Sequence, residues 1–460
     1  MKHYEKYQCV DQRWVKSIPS HWEFFRLKRI FAQRVEKNDP IITENILSLT
    51  AKQGVVPYAE KEGSGGNKPK GDMTQYNIAR PNDLLVNCMN IVAGSAGVSR
   101  YFGAISPVYY ALYPRLDCNI WYYHYLFRLM PFQRSLIGLG KGILMHESES
   151  GALNTVRMRI SMDYLGNVNL PIPPRDEQDQ IVRYLDWQVS KINRLIAAKR
   201  KEIELTREYA LAKIEDVFNT TIGTDSDNIP IGRHIRKIES GTSVNSIIGT
   251  ADKETPGVLS TSCVYGNHFD ASQNKRVEPA DYERVSCPVR KNTVIVSRMN
   301  TPALVGACGF SDKDIDNVFL PDRLWQVYFD DTLMPEFVWR YLSRPSAQAW
   351  FATIATGSSN TMKNITKPQF KAVLIPNVPS DMQRRIIKSI SKITDERDTA
   401  CQLYGQTIST LQALRTRLIS DVVTGQIDVR GIEVPDYEHY DEASENATEE
   451  SSDSDYDTEE

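Results

Sequence analysis
Between Leu185 and Val217 the apolar positions recur four and three residues apart. The series runs Leu185, Val189, Ile192, Ile196, Ile203, Ala210 and Val217, with Lys199, Thr206 and Lys213 as polar interruptions. This 3.5-residue period is the seam of a coiled coil. The helix it predicts starts after Pro174 and runs to about Ile222, where Gly223 can cap it. At ~1.5 Å per residue it spans roughly 70 Å. A second stripe passes through Ile387, Ile390, Cys401, Tyr404, Ile408, Leu411, Leu418 and Val422 and stops near Gly425. Thr394, Arg397 and Arg415 intrude on it, and Ser380 with Gln383 has the S-x-x-Q form of a capping box. A long helix must bury its one apolar stripe, so the two helices are expected to pair with each other, antiparallel.

Each helix is introduced by the same step. LPIPPRDEQDQIVRYLD (170–186) returns as LIPNVPSDMQRRIIKSIS (374–391). An offset of 205 places Pro171 on Pro376, Pro174 on Pro379, Gln178 on Gln383 and Ile181 on Ile386. DLLVNCMNIVAGSAGVS (83–99) is echoed by TVIVSRMNTPALVGACG (293–309), and LNTVRMRISMDYLGNVNLPIP (153–173) by SNTMKNITKPQFKAVLIP (359–376). A repeat this long is a whole duplicated module, too long for one turn of a solenoid. YYALYP, TVIVS and LWQVYF alternate as strands. NIWYYHYLFRLM (119–130) and MPEFVWRYLSRPSAQAWF (334–351) read as matching helices whose aromatic stripes belong to a core rather than to a base-stacking platform.

The pattern therefore predicts an α+β protein. It has two duplicated globular heads separated by two long helices that pair as an antiparallel coiled coil, with pseudo-two-fold symmetry. The expected boundaries are head one at 1–168, helix one at 169–222, head two at 223–373 and helix two at 374–428. An acidic, disordered tail is expected at 429–460.

Composition adds a charge asymmetry. The formal net charge is −3, but Asp436–Glu460 holds 12 acidic residues and no Lys or Arg, so residues 1–435 carry +9. Residues 1–168 carry +7 and residues 223–373 carry +1. A basic body suits a polyanionic partner. The tail is read as solubilising, with mimicry of DNA as the other possibility. Seven scattered cysteines without a C-x-x-C pair fit reduced thiols in a cytoplasm. No run is apolar enough for a membrane span, and MKHYEKYQCVDQRW has no signal-peptide core.

Catalytic motifs are missing from the sequence. There is no Walker phosphate loop, no metal-spaced His pair and no nucleophile elbow. GLGKG (138–142) follows a helix and is read as a turn, and DKDID (312–316) as a solvated loop. The Asn/Asp-Pro-Pro-aromatic motif of adenine methylases is also absent, since PIPP (171–174) lacks both the leading acid or amide and the aromatic.

SIPSHWEFFRLKRI (17–30), the turn at Met89-Asn90, LNTVRMRISMDYL and LPIPPRDEQDQIVRYLD together resemble the specificity subunits of type I restriction-modification systems. RHIRKIESGTS (233–243) resembles that family's usual domain opening, in looser wording. The resemblance implies two target recognition domains that read the halves of an asymmetric bipartite site in double-stranded DNA, with the coiled coil setting the unread gap. It implies a chain that is not itself an enzyme and binds no cofactor. Its partners would be two adenine-N6 methyltransferase subunits and two restriction/translocase subunits, which carry S-adenosylmethionine, ATP and Mg2+. A specificity subunit of a related type II-like complex, or a coiled-coil scaffold without DNA, are the alternatives. Side chains suited to base edges or phosphates are Lys68, Lys70, Arg100, Lys141, Arg157 and Arg159 in the first head, and Lys275, Arg298, Asn300, Lys363 and Lys367 in the second.

Overall fold
The computed structural model describes residues 2–50, 54–61, 71–140, 145–147, 153–155, 159–223, 227–252, 254–357 and 362–440. It forms two compact units, one of Met1–Lys201 with Gly405–Glu460 and one of Glu202–Tyr404.

In the first unit Phe31–Arg34, Tyr109–Pro114, Leu84–Asn87 and Ala96–Val98 form an antiparallel sheet in that order. A second sheet orders Gly54–Pro57, Ile46–Thr50, Gly103–Ile105 and Asn77–Ala79, with the middle pair parallel. The second unit repeats the plan. Ile235–Ser240, Leu324–Phe329, Thr293–Ser297 and Cys308–Ser311 are antiparallel. Its other sheet contains the parallel pair Gly257–Leu259 and Val318–Phe319. Gly94 and Gly306 turn the echoed Met-Asn segments at φ +86° and +85°. A Cβ at Gly306 would also stand 2.4 Å from the Phe351 ring, so only glycine fits there. The aromatic helices are core elements, as their stripes predict: Tyr122, Tyr123, Phe127, Phe337 and Phe351 are fully buried.

The recurring proline step is the last strand of each head. Asn169–Ile172 pairs with Glu23–Arg26, and Leu374–Pro376 with Asn228–Pro230. Both are two-stranded edges, where a proline's missing N–H leaves no ladder broken.

The glutamine that follows is a buried clamp. Gln178 donates from Nε2 to the Pro173 carbonyl at 2.7 Å and accepts at Oε1 from the Asn119 backbone N–H at 2.8 Å. Gln383 donates to the Val378 carbonyl at 2.9 Å and accepts from the Met334 N–H at 2.9 Å. Asn119 and Met334 are the N-caps of the two aromatic helices. The capping box expected at Ser380 is therefore replaced: Gln383 is drawn inward by a neighbouring helix that needs an acceptor.

The long helices are Arg175–Ile222 and Ser380–Val423. Within the first unit Leu185, Ile192 and Ile196 share a core with Leu418 and Val422, and Arg415 Nη1 donates to Asn193 Oδ1 at 2.6 Å. Within the second, Ile214 and Phe218 share a core with Ile386 and Ile390. The start of one helix thus meets the end of the other, and the pairing is antiparallel. Val189, Ile203, Ile387, Tyr404, Ile408 and Leu411 are half-buried.

The expected seam drifts late in the first helix. Ala210, Ile214 and Phe218 are buried, while Lys213 is exposed and Val217 half-buried. A straight helix slips about 20° per heptad against a 3.5 repeat, which shifts the stripe by one position.

The boundary of the acidic tail is also corrected. Ile427 and Val429 are buried in the first unit. Gln180 Nε2 donates to the carbonyls of Val429 at 3.0 Å and Ile432 at 2.6 Å, and the Tyr440 N–H donates to Ser190 Oγ at 2.7 Å. Apolar residues that alternate with the charges keep the segment packed through Val434, and beyond it the exposed stretch 435–439 is held by hydrogen bonds at Glu438 and Tyr440. Residues 441–460 lie outside the described residues. No helix among the described residues is long and apolar enough to cross a membrane.

Candidate nucleic-acid interface
Lys68, Lys70, Lys141 and Arg157 lie outside the described residues. Arg100 is exposed beside the strand Ala96–Val98, and its guanidinium stands 5.2 Å from the Trp121 ring centroid. Such an arrangement orients a guanidinium while leaving its N–H groups free for an anion. The same ring neighbours His124, whose imidazole burial pushes down to about 3, with Arg128 and Arg100 adding repulsion. Arg159 is exposed, and its charge neighbours Cys88 and Tyr110, both of which favour its protonated form.

In the second head the duplicated Met-Asn turn gathers three candidates. Met299–Asn300 pairs with Lys363–Asn364, so Arg298, Asn300 and Lys363 converge. The bond that holds this place, Ile365 N–H to the Arg298 carbonyl, repeats the Ile160 N–H to Cys88 carbonyl bond of the first head. Arg159 and Asn364 are therefore positional counterparts.

The convergence is mostly inward. Arg298 Nε donates to the Asp322 carbonyl at 2.6 Å and its Nη1 to Asn364 Oδ1 at 3.3 Å. Asn300 is buried; its Nδ2 donates to Tyr265 Oη and Ser297 Oγ, and its Oδ1 accepts from the Thr301 N–H. Asn300 is thus a turn-holding residue, which corrects its assignment as a base reader: both ends of its amide are already satisfied. Lys363 Nζ donates to the Gly357 carbonyl at 3.2 Å and Lys367 Nζ to the Ile238 carbonyl at 3.3 Å; Lys367 remains exposed. Lys275 is exposed on the strand Asn274–Val277, in the other sheet.

Four cations absent from the sequence-based set also meet on the first head: Arg26, Lys28, Arg29 and Arg115 line one groove. Three of them stand within four positions of FRLKR, a signal that was visible. Arg115 joins them only through strand pairing.

Residues 19–205 match the family model of the type I restriction modification DNA specificity domain. The chain is 20% identical over 270 residues to the EcoKI specificity subunit of Escherichia coli K12; the match spans 56% of this chain and 58% of that relative. Among solved structures, a chain from a study of complex assembly and conformational transition of the type I R-M system superposes with a TM-score of 0.62 at 14% identity. That match covers 89% of this chain and 99% of the other, and establishes a shared fold. The HsdS subunit from Thermoanaerobacter tengcongensis gives 0.48 at 14% identity, covering 89% and 98%.

Proposed function
We infer that this chain, a member of the specificity-subunit family of type I restriction-modification systems, reads DNA sequence for a complex whose chemistry other subunits perform. The observation that carries the reading is the duplication. Two heads repeat one sheet order and one glutamine clamp, yet present different side chains at equivalent positions. A protein that reads one symmetric site needs two identical heads, whereas two unlike heads on one scaffold suit two unlike half-sites. The specificity-domain match over residues 19–205 supports the same reading.

Each head then reads one half of an asymmetric bipartite target, and the paired helices set the number of bases left unread between the halves. The chain docks adenine-N6 methyltransferase and restriction/translocase subunits, two of each. Those subunits bring S-adenosylmethionine, ATP and Mg2+. Arg100, Arg159, Lys275 and Lys367, exposed on the heads, are the candidates that remain available for DNA.

Base-resolved mapping of adenine methylation, in cells with and without the gene, tests this directly. One asymmetric bipartite motif is expected to lose its methylation on deletion. A genome whose methylated motifs all survive deletion, in a strain where the methyltransferase co-purifies with this chain, sinks the reading.

A further inference from the structure
The first head carries a groove whose cationic lining is not repeated at the equivalent positions of its duplicate. Arg26, Lys28, Arg29 and Arg115, with Phe25 and Asn169, line a concavity of about 690 Å3. All four cations are exposed, and none forms an ion pair among the described residues. The Arg29 guanidinium lies 3.5 Å over the Phe25 ring centroid, which fixes its plane. Asn169 adds an uncharged amide to the wall.

The backbone that shapes this groove is present in both heads. Leu27 N–H donates to the Val168 carbonyl at 2.8 Å, and Ile231 N–H to the Val373 carbonyl at 2.7 Å. Arg115 N–H donates to the Ile30 carbonyl at 2.7 Å, and Asp330 N–H to the His234 carbonyl at 2.8 Å. These matched bonds place Pro230 opposite Arg26, Gly232 opposite Lys28, Arg233 opposite Arg29 and Asp330 opposite Arg115. At these four positions four cations thus become one cation and one carboxylate, with the exposed Lys371 standing beside Gly232 as a second cation. A side chain at residue 232 would also meet the Lys371 backbone oxygen at 2.9 Å, so the second head has no room for a lysine there. The fold therefore does not require the cations, and four like charges without counter-ions repel one another.

We propose that this groove clamps the sugar–phosphate backbone of double-stranded DNA beside the half-site of the first head, a site that rests on the DNA-reading function proposed above. Arginine and lysine neutralise phosphates without regard to base, so the clamp fixes register and adds affinity while carrying no sequence information. The asymmetry gives the first head a firmer hold than the second, in line with their +7 and +1 charges.

The test uses the full chain in complex with its methyltransferase, as wild type and as the Arg26→Gln, Lys28→Gln, Arg29→Gln, Arg115→Gln variant. Fluorescence anisotropy measures binding to a target duplex and to a scrambled duplex across a salt series. The variant is expected to lose at least tenfold in affinity at ~0.1 M salt on both duplexes. The slope of log affinity against log salt should fall by about 0.9 for each phosphate that is no longer neutralised. The preference for the target should stay within about twofold of wild type. Single Lys28→Gln and Arg115→Gln variants should each show part of the loss with unchanged thermal unfolding. Unchanged affinity and slope in the fourfold variant overturns the clamp, and loss of methyltransferase co-purification with DNA binding intact reassigns the groove to an acidic protein surface. A wild-type complex that does not prefer its target would sink the specificity reading instead. The scrambled duplex still decides the clamp in that case.

Discussion
Gln178 and Gln383 are each 1% exposed, and each ties a head's closing strand to the cap of its aromatic helix. Replacing either by alanine leaves a buried carbonyl without a partner, at about 1–3 kcal/mol, and a half-buried N–H that water compensates in part. Gln178→Ala and Gln383→Ala are therefore expected to lower the unfolding free energy by about 2–4 kcal/mol, measured by urea denaturation. Variants that unfold within about 0.5 kcal/mol of the parent would show that the clamp is decorative. Both glutamines are legible in the sequence as an alignment anchor, but their partners are not, because Asn119 and Met334 lie far away along the chain. Asn300 teaches the converse. Its amide type suits an adenine edge, yet only packing reveals that Tyr265 and Ser297 have already taken it.

At the scale of elements, periodicity located both long helices and several strands, because one buried face imposes a regular pattern. It failed where the pattern is short or drifts. Late in the first helix the packed stripe moves from Lys213 and Val217 to Ile214 and Phe218. The segment after Gly425 reads as acidic, but it inserts Ile427 and Val429 into the first unit's core. Ending the chain at Gly425 removes two buried aliphatic side chains and the carbonyls that accept from Gln180. The expected cost is about 3–6 kcal/mol, confined to the first unit. Hydrogen exchange should then rise in the sheet holding Leu84–Asn87 while Thr293–Ser297 stays protected. Equal protection in both sheets would mean that the segment contributes no stability.

At the scale of the whole molecule, duplication permits the two heads to diverge on the outside while their scaffolds stay alike. The groove of Arg26, Lys28, Arg29 and Arg115 against Pro230, Gly232, Arg233 and Asp330 is one measure of that divergence. The proposed reading by separate heads predicts a modular target. Exchanging residues up to about 170 for the first head of a related subunit should change one half of the methylated motif and leave the other intact, as read by methylation mapping. A change in both halves would mean that the heads do not read independently.

The sequence by itself determined that a module is duplicated, that each copy ends in a proline step and a long amphipathic helix, and that the charge is uneven. These are properties of local pattern and composition, which survive without coordinates. Tertiary structure alone decided which cations remain free, which polar groups are spent inside, and that the segment after Gly425 packs into the first unit's core. Each of those depends on residues such as Arg29 and Arg115, or Gln180 and Val429, that are distant in the chain and meet only when strands pair and helices pack.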